Sequence, residues 1–354
     1  MRRVLAAAAA AALLAAGARA QTAPTALVWL PSPDFQQWSV FDALLRARPE
    51  LRLTVALTPE MATPLAKDVL GAWAAAGRVE IAARIPGDPI LPYVDAHPGS
   101  PRPSDALDRC AAARREIARR MGSEPTGLVP GDGALDPSLI QPLGACGAPW
   151  ILAGPYVVAG SSWASAGSAV FVPAGVAGRD VLLGPAALTA PGATAVDESS
   201  LPSSDDAPSP FLTELSSLPP GTRPDGGWDT VSQLLAAAGP ASAAASAVSS
   251  WPAWNGAVVG APADPAAREA WEAYGAASLA LRGYENSGAA SLGVLGAATN
   301  LLRRAQDARF YRAPPPGAAP GAGLDPELRT RLLAVYKRIR APAPDSLYAS
   351  GGAA

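Results

Sequence analysis

The chain predicts an α/β fold: a distorted (β/α) barrel with a helical region after it. Three observations carry that prediction. Between Thr25 and Ala153, short apolar runs alternate with amphipathic helices, which is the pattern of a parallel sheet. Beyond Thr230 the strand signal ends and helical periodicity takes over. Residues 127–151 place a strand, a tight turn, a short helix and another strand in succession. The carboxylate of Asp132 stands at the first strand's tip, where α/β barrels carry functional groups.

Residues 25–30 form the first strand, stopped by Pro31 and Pro33. A helix over 38–48 puts Phe41, Leu44 and Leu45 on one face. The alternating segment 51–57 is a second strand that runs into Thr58 and Pro59. A helix over 61–76 and a third strand over 79–82 follow, separated by Gly77. Ser104 caps the next helix. Its Leu107, Cys110, Ala111, Ile117 and Met121 keep helical spacing, and Arg114, Arg115, Arg119 and Arg120 fall on a solvated face. Val129-Pro130 ends a strand, Gly131-Asp132-Gly133 turns, residues 137–143 form a short helix and 150–153 a strand. From 159 to 227 the pattern weakens. Residues 170–172 and 181–183 are candidate strands, and 197–210 is a polar, proline-rich loop. Helices are expected over 231–238, 263–281, 290–309 and 326–340, the last with Leu328, Leu332, Val335, Tyr336 and Ile339 in one stripe. The expected division is a signal peptide at 1–20, a barrel domain at 21–235 and a helical domain at 236–345. The helical domain contains a flexible Pro/Gly/Ala loop at 313–323, and 346–354 is a flexible tail.

Composition narrows the chemistry. Arg2 and Arg3, a short alanine/leucine run and Ala18-Arg19-Ala20 read as a secretory signal cleaved before Gln21. The apolar run is too short for a membrane span, so the mature chain is expected in the periplasm or outside the cell. Net charge is −2 and the isoelectric point about 5.6. No arginine cluster is interleaved with aromatics, and nucleic acid is not an expected partner. Lysine occurs only at 67 and 337. His97 is the one histidine. A metal-dependent deacetylase on a related barrel needs paired histidines plus an aspartate, and no nucleophile elbow serves a serine triad. Carboxylate chemistry, or no chemistry, remains, and neither a metal nor a cofactor is implied. Cys110 and Cys146 are the two cysteines; a disulfide and two buried thiols both fit them.

The motifs resemble those of glycoside hydrolase family 57, the retaining α-glucan hydrolases and transferases. Asp132 stands where the family's strand ends in its glutamate nucleophile, and Gly147-Ala148-Pro149-Trp150 is similar to the family's next strand. Asp88-Pro89-Ile90-Leu91-Pro92 resembles its histidine-proline-isoleucine-leucine-proline loop, with aspartate for histidine. Thr58-Pro59, Trp251-Pro252-Ala253-Trp254, Leu281-Arg282-Gly283-Tyr284-Glu285 and the closing helix with Val335-Tyr336 keep the order. The resemblance implies a seven-stranded barrel of the glycoside hydrolase and deacetylase type, a helical region and an α-glucan or related oligosaccharide as partner. It implies Asp132 and Asp225 as catalytic carboxyls, the latter from Asp225-Gly226-Gly227-Trp228. It also implies Asp88, Trp150, Tyr156, Trp228, Trp251, Trp254 and Tyr284 at the sugar cleft. From the residues alone, Asp132 also reads as a turn aspartate, and the aromatics as core.

The departures from the family fall on chemistry. Retaining hydrolysis needs two carboxyls about 5–5.5 Å apart. Aspartate for glutamate withdraws the nucleophile by one methylene, and about 1 Å of misplacement can cost about 100-fold. The acid motif lacks its glutamate, and loss of a general acid costs a further factor of about 10² to 10⁴. The expectation is a weak or inactive hydrolase that binds carbohydrate. Its rivals are a non-catalytic envelope scaffold and a retaining glycosidase that uses Asp132 and Asp225.

Overall fold

The computed structural model describes residues 25–95, 103–154, 164–177, 192–199, 208–219, 227–238, 243–244, 251–253, 256–258, 262, 264–311 and 324–348. Strands β1 (Thr25–Leu30), β2 (Leu53–Leu57), β3 (Val79–Arg84), β4 (Gly127–Val129) and β5 (Trp150–Ala153) are buried along their lengths. Near-continuous apolar sequence is what strands covered on both faces require. The later strands are β6 (Ala164–Ala166), β7 (Ala169–Ala177), β8 (Gly192–Asp197), β9 (Trp228–Asp229), β10 (Ala243–Ala244), β11 (Trp251–Ala253) and β12 (Gly256–Val258). Strands β1, β2, β3, β4, β5, β7 and β8 pair in that order, all parallel, and β8 closes on β1. The result is a closed seven-stranded barrel. β9 adds to β1, β6 runs antiparallel beside β7, β10 pairs with β6, and β11 and β12 form a separate hairpin.

The helices are α1 (Trp38–Ala47), α2 (Pro64–Ala75), α3 (Leu91–Asp95), α4 (Pro103–Met121), α5 (Pro137–Gly144), α6 (Pro210–Ser217), α7 (Val231–Ala238), α8 (Pro265–Asn286), α9 (Leu292–Arg304) and α10 (Pro326–Ile339). Local sequence marks their starts. Thr63, Asp136, Ser209, Asp264 and Asp325 each cap a helix with a side-chain oxygen, and proline follows each in the first turn.

Strand parity divides the core. Val28, Ala56, Ala82, Val129, Leu152 and Val172 fill the barrel, while Leu27, Val55, Ile81, Leu128, Ile151 and Phe171 face the outer helices. The N-terminal end of the barrel is sealed by α7, whose Val231 and Leu234 join the inner cluster. Glu80 fastens that seal. It accepts from Thr54 Oγ1 at 3.0 Å, Thr126 Oγ1 at 2.6 Å, Trp150 Nε1 at 3.1 Å and the Ser232 N–H at 3.0 Å. Gly127 makes room for the indole, because a Cβ there would stand 2.2 Å from the Trp150 ring.

The opposite end carries the helical region. Ile90, Val94 and Ala134, from loops at the strands' C-terminal ends, share one cluster with Tyr274, Leu302, Leu328 and Tyr336 of α8, α9 and α10. The Ala308 N–H donates to the Gly87 carbonyl at 2.9 Å, and Trp271 Nε1 to the Tyr93 carbonyl at 2.9 Å.

The structure departs from the sequence reading in several places. The helix expected over 61–76 splits into a turn at Pro59–Met61 and α2, because Pro64 restarts the helix at its first turn. α8 runs on to Asn286 and α9 stops at Arg304. Packing extends to Leu347, which is buried within the turn Asp345–Leu347. β8 occupies 192–197, where no strand was expected and a loop was to begin. Its glycine and alanines have little strand propensity, and pairing to β1 on one side and β7 on the other makes the strand. Cys110 and Cys146 are free, buried thiols. Residues 181–183 and 313–323, His97 and the signal segment lie outside the described residues.

Candidate active site at the barrel mouth

Asp132 sits where the sequence reading expects it, just past the C-terminal end of β4. Residues Gly131–Gly133 form a single tight turn in which Asp132 takes φ 55° and ψ 14°. Aspartate is among the few side chains that tolerate this left-handed region. Asp132 is 6% exposed. The turn is pressed against the loop after β3, and a Cβ on Gly131 would stand 2.0 Å from the Asp88 carbonyl oxygen. The Gly133 carbonyl accepts from the Gly154 N–H at 2.8 Å, which ties the turn to the end of β5. The phenol of Tyr93 on α3 is raised above its ordinary pKa by burial, and the charge of Asp132 raises it further.

Asp88 is also at the mouth, in a left-handed conformation with φ 43°. Its partner is Arg84, the last residue of β3, whose guanidinium is fully buried. Arg84 Nε donates to Asp88 Oδ1 at 2.9 Å, its Nη2 bonds Oδ2, and its Nη1 donates to the Pro31 carbonyl at 2.7 Å. A charged pair therefore ties the exits of β1 and β3 together where the resemblance implies a histidine.

The second carboxylate at the mouth is Asp197, which the sequence reading missed. It ends β8, opposite Leu30 of β1, and has no exposed surface. Ala193 and Ala195 belong to the inner cluster and Val196 to the outer one, so parity turns Asp197 inward. Its Oδ1 accepts from the Ser199 N–H at 2.9 Å. In the ring of seven strands β8 lies three steps from β4, which is across the barrel from Asp132. The signal was an acid pair, Asp197-Glu198, closing the alternating run Ala193-Thr194-Ala195-Val196. Glu198 points outward and accepts from Trp29 Nε1 at 2.8 Å, Ser209 Oγ at 2.8 Å and the Phe211 N–H at 2.7 Å. Burial raises its carboxyl pKa, and the Phe211 and Trp29 bonds oppose that rise.

The aromatic expectations need correction. Trp150 is on the strand next to β4, but it opens β5 at the sealed N-terminal end and is 1% exposed. Trp228 pairs with Thr25 at that same end and is fully buried among outer core residues. Neither reaches the mouth. Tyr284 braces the turn between α8 and α9, where its hydroxyl accepts from the Ser291 N–H at 3.3 Å. It lies 13 residues past Trp271, about 20 Å along the helix. The strand that Trp251 opens packs against the Asp132 turn. Asp225, Tyr156 and Trp254 lie outside the described residues. Among the described residues, Tyr93 and Trp271 do stand on this side, and the sequence reading singled out neither as a site residue.

A cavity of about 840 Å³ opens between the loops after β1, β2 and β3 and the helices α4 and α9. Asp88 and Ser199 line it; Asp132 and Asp197 do not. Among the described residues no group of three His, Cys, Asp or Glu side chains is placed to hold a metal ion.

This architecture has solved counterparts. A 4-α-glucanotransferase from Thermococcus litoralis matches with TM-score 0.55 at 13% identity, over 90% of this chain and 60% of that one. The α-amylase AmyC from Thermotoga maritima matches with TM-score 0.55 at 10% identity, over 92% and 93% of the two chains. A GH57-type branching enzyme from Pyrococcus horikoshii matches with TM-score 0.52 at 10% identity, over 93% and 97%. The chain has a GH57-like fold. At these identities the likeness is one of fold, and the chain spans less than two thirds of the glucanotransferase. No protein-family model and no curated protein matches the sequence.

Proposed function

We propose that the protein is an exported, GH57-like polysaccharide-binding protein with very weak or no glycosidase turnover. The carrying observation is that the large cavity at the mouth is lined by neither Asp132 nor Asp197. A saccharide held there is bound without both carboxyls on its glycosidic bond. The two carboxylates do face the mouth from opposite sides, which is the arrangement a glycosidase uses, but each is buried and each belongs to a turn or strand end. Asp132 is also one methylene shorter than the glutamate of the resembling motif, and retaining chemistry is steeply sensitive to that spacing. Asp197 joins Asp225 as a candidate for the second carboxyl. Export rests on the N-terminal signal pattern; protein recovered from the periplasm begins at Gln21 in this reading.

The test is turnover of starch and p-nitrophenyl maltosides by the wild type, Asp132→Asn and Asp197→Asn. The expected result is no turnover, or a trace that neither substitution changes. Robust hydrolysis abolished by both substitutions overturns the reading and makes the protein a working glycosidase.

A further inference from the structure

The mouth cavity has an unusual lining. Among the described residues no aromatic lines it, although aromatic faces are the usual platform for neutral sugar rings. Six arginines line it instead: Arg109, Arg115 and Arg120 from α4, Arg303 and Arg304 from α9, and Arg331 from α10.

The charges are divided by side. On the helical side Asp108 stands exposed on α4, and Glu116 is bonded to both Arg119 and Arg120 at 2.6 Å, which holds its carboxyl down to about 2. Asp307 lies 3.4 Å from Arg309 and 3.9 Å from Arg331. On the barrel side stand Asp34, Glu60 and Asp88. Asp88 is bonded to Arg84, while Asp34 and Glu60 are exposed. The lining as a whole sums to zero, but the helical side carries a surplus of guanidinium. The exposed side chains of Arg115 and Arg304 have no partner among the described residues. A guanidinium is a planar fork of donors matched to carboxylate and sulfate oxygens, and bonds to such anions are stronger than neutral ones. Asp34 and Glu60 across the groove suit sugar hydroxyls, which donate to carboxylates.

We infer that the saccharide this groove takes is anionic, a uronic-acid or sulfated glycan, with its acid groups on Arg115 and Arg304 and its hydroxyls toward Asp34 and Glu60. This rests on reading the mouth as a saccharide site.

Calorimetric titration of the full chain tests it, with hexagalacturonate, a sulfated dextran oligosaccharide, maltohexaose and polyglutamate as probes. Hexagalacturonate, the sulfated oligosaccharide or both bind, maltohexaose binds at least tenfold more weakly, and raising the salt concentration weakens the acidic complexes. The double variant Arg115→Ala/Arg304→Ala loses at least tenfold in affinity for the acidic saccharide while unfolding at the wild-type temperature. Preferential binding of maltohexaose overturns the anionic inference and leaves the saccharide reading standing. Polyglutamate binding as tight as the acidic saccharides, or acidic binding indifferent to the double variant, also overturns it. Failure of all three saccharides removes both.

Discussion

Arg84→Met is the substitution that asks most of this architecture. Arg84 carries a fully buried charge at the barrel mouth, and its guanidinium satisfies both oxygens of Asp88 and the carbonyl of Pro31. Methionine keeps the stem and deletes the charge and the donors. Removing one partner of a buried ion pair costs about 3–5 kcal/mol, because the other charge is left uncompensated. At about 2 °C per kcal/mol for a chain of this length, the melting temperature falls by about 6–10 °C. Asp88→Asn is the companion variant, since asparagine tolerates the φ of 43° at that position. It removes the charge without straining the loop. The double variant leaves neither charge buried alone, so its loss is smaller than the sum of the single losses by about 2 kcal/mol or more. Urea denaturation followed by tryptophan fluorescence measures all four proteins. A loss below about 1 kcal/mol for Arg84→Met, or strict additivity in the cycle, refutes the ion pair as the brace of the mouth.

Three further outcomes follow from the same geometry. Burial raises the carboxyls of Glu198 and Asp307, so the folded protein holds these protons more tightly than the unfolded chain. Their contribution to stability grows as pH falls through the raised folded values and is lost as pH rises through them. Glu198→Gln removes one of these titrations and flattens the pH dependence of stability on the acid side of neutrality; an unchanged slope counts against the assignment. Gly131→Ala drives a methyl into the backbone of Asp88 and costs about 3 kcal/mol or more, read as a lowered unfolding midpoint, and a variant as stable as wild type disproves the close approach. Burial raises the thiols of Cys110 and Cys146, so the native protein is inert to Ellman's reagent at mildly alkaline pH and both thiols react in denaturant. Rapid reaction of the native protein contradicts that packing.

Much of the fold was legible because its strands are apolar and its helices are punctuated. The runs at 25–30, 53–57 and 150–153 declare buried strands by composition. Pro64, Pro137, Pro265 and Pro326, each preceded by a capping threonine or aspartate, declare helix starts. β8 was hard to read, because Thr194 and Val196 are the only strand formers in Gly192-Ala193-Thr194-Ala195-Val196-Asp197; two parallel neighbours make it a strand. That miss left Asp197 outside the set of candidate carboxyls.

The candidate site shows why a tip residue is easier to find than its surroundings. Asp132 was readable because turn chemistry is local: a glycine on each side, a proline before and a helix after. Whether an aromatic faces the mouth or the sealed end depends on which end of its strand it occupies. Trp150 illustrates this. It is on the strand next to the one that carries Asp132, yet it opens that strand and is drawn to Glu80 at the N-terminal end. Four residues of parallel strand rise about 13 Å, enough to carry a side chain from one end of this barrel to the other. The arginine lining was hidden for a different reason. Arg115 reads as a solvated helix position and Arg304 carries no signal of its own, and only the docking of α9 beside α4 over the mouth puts the two on one groove.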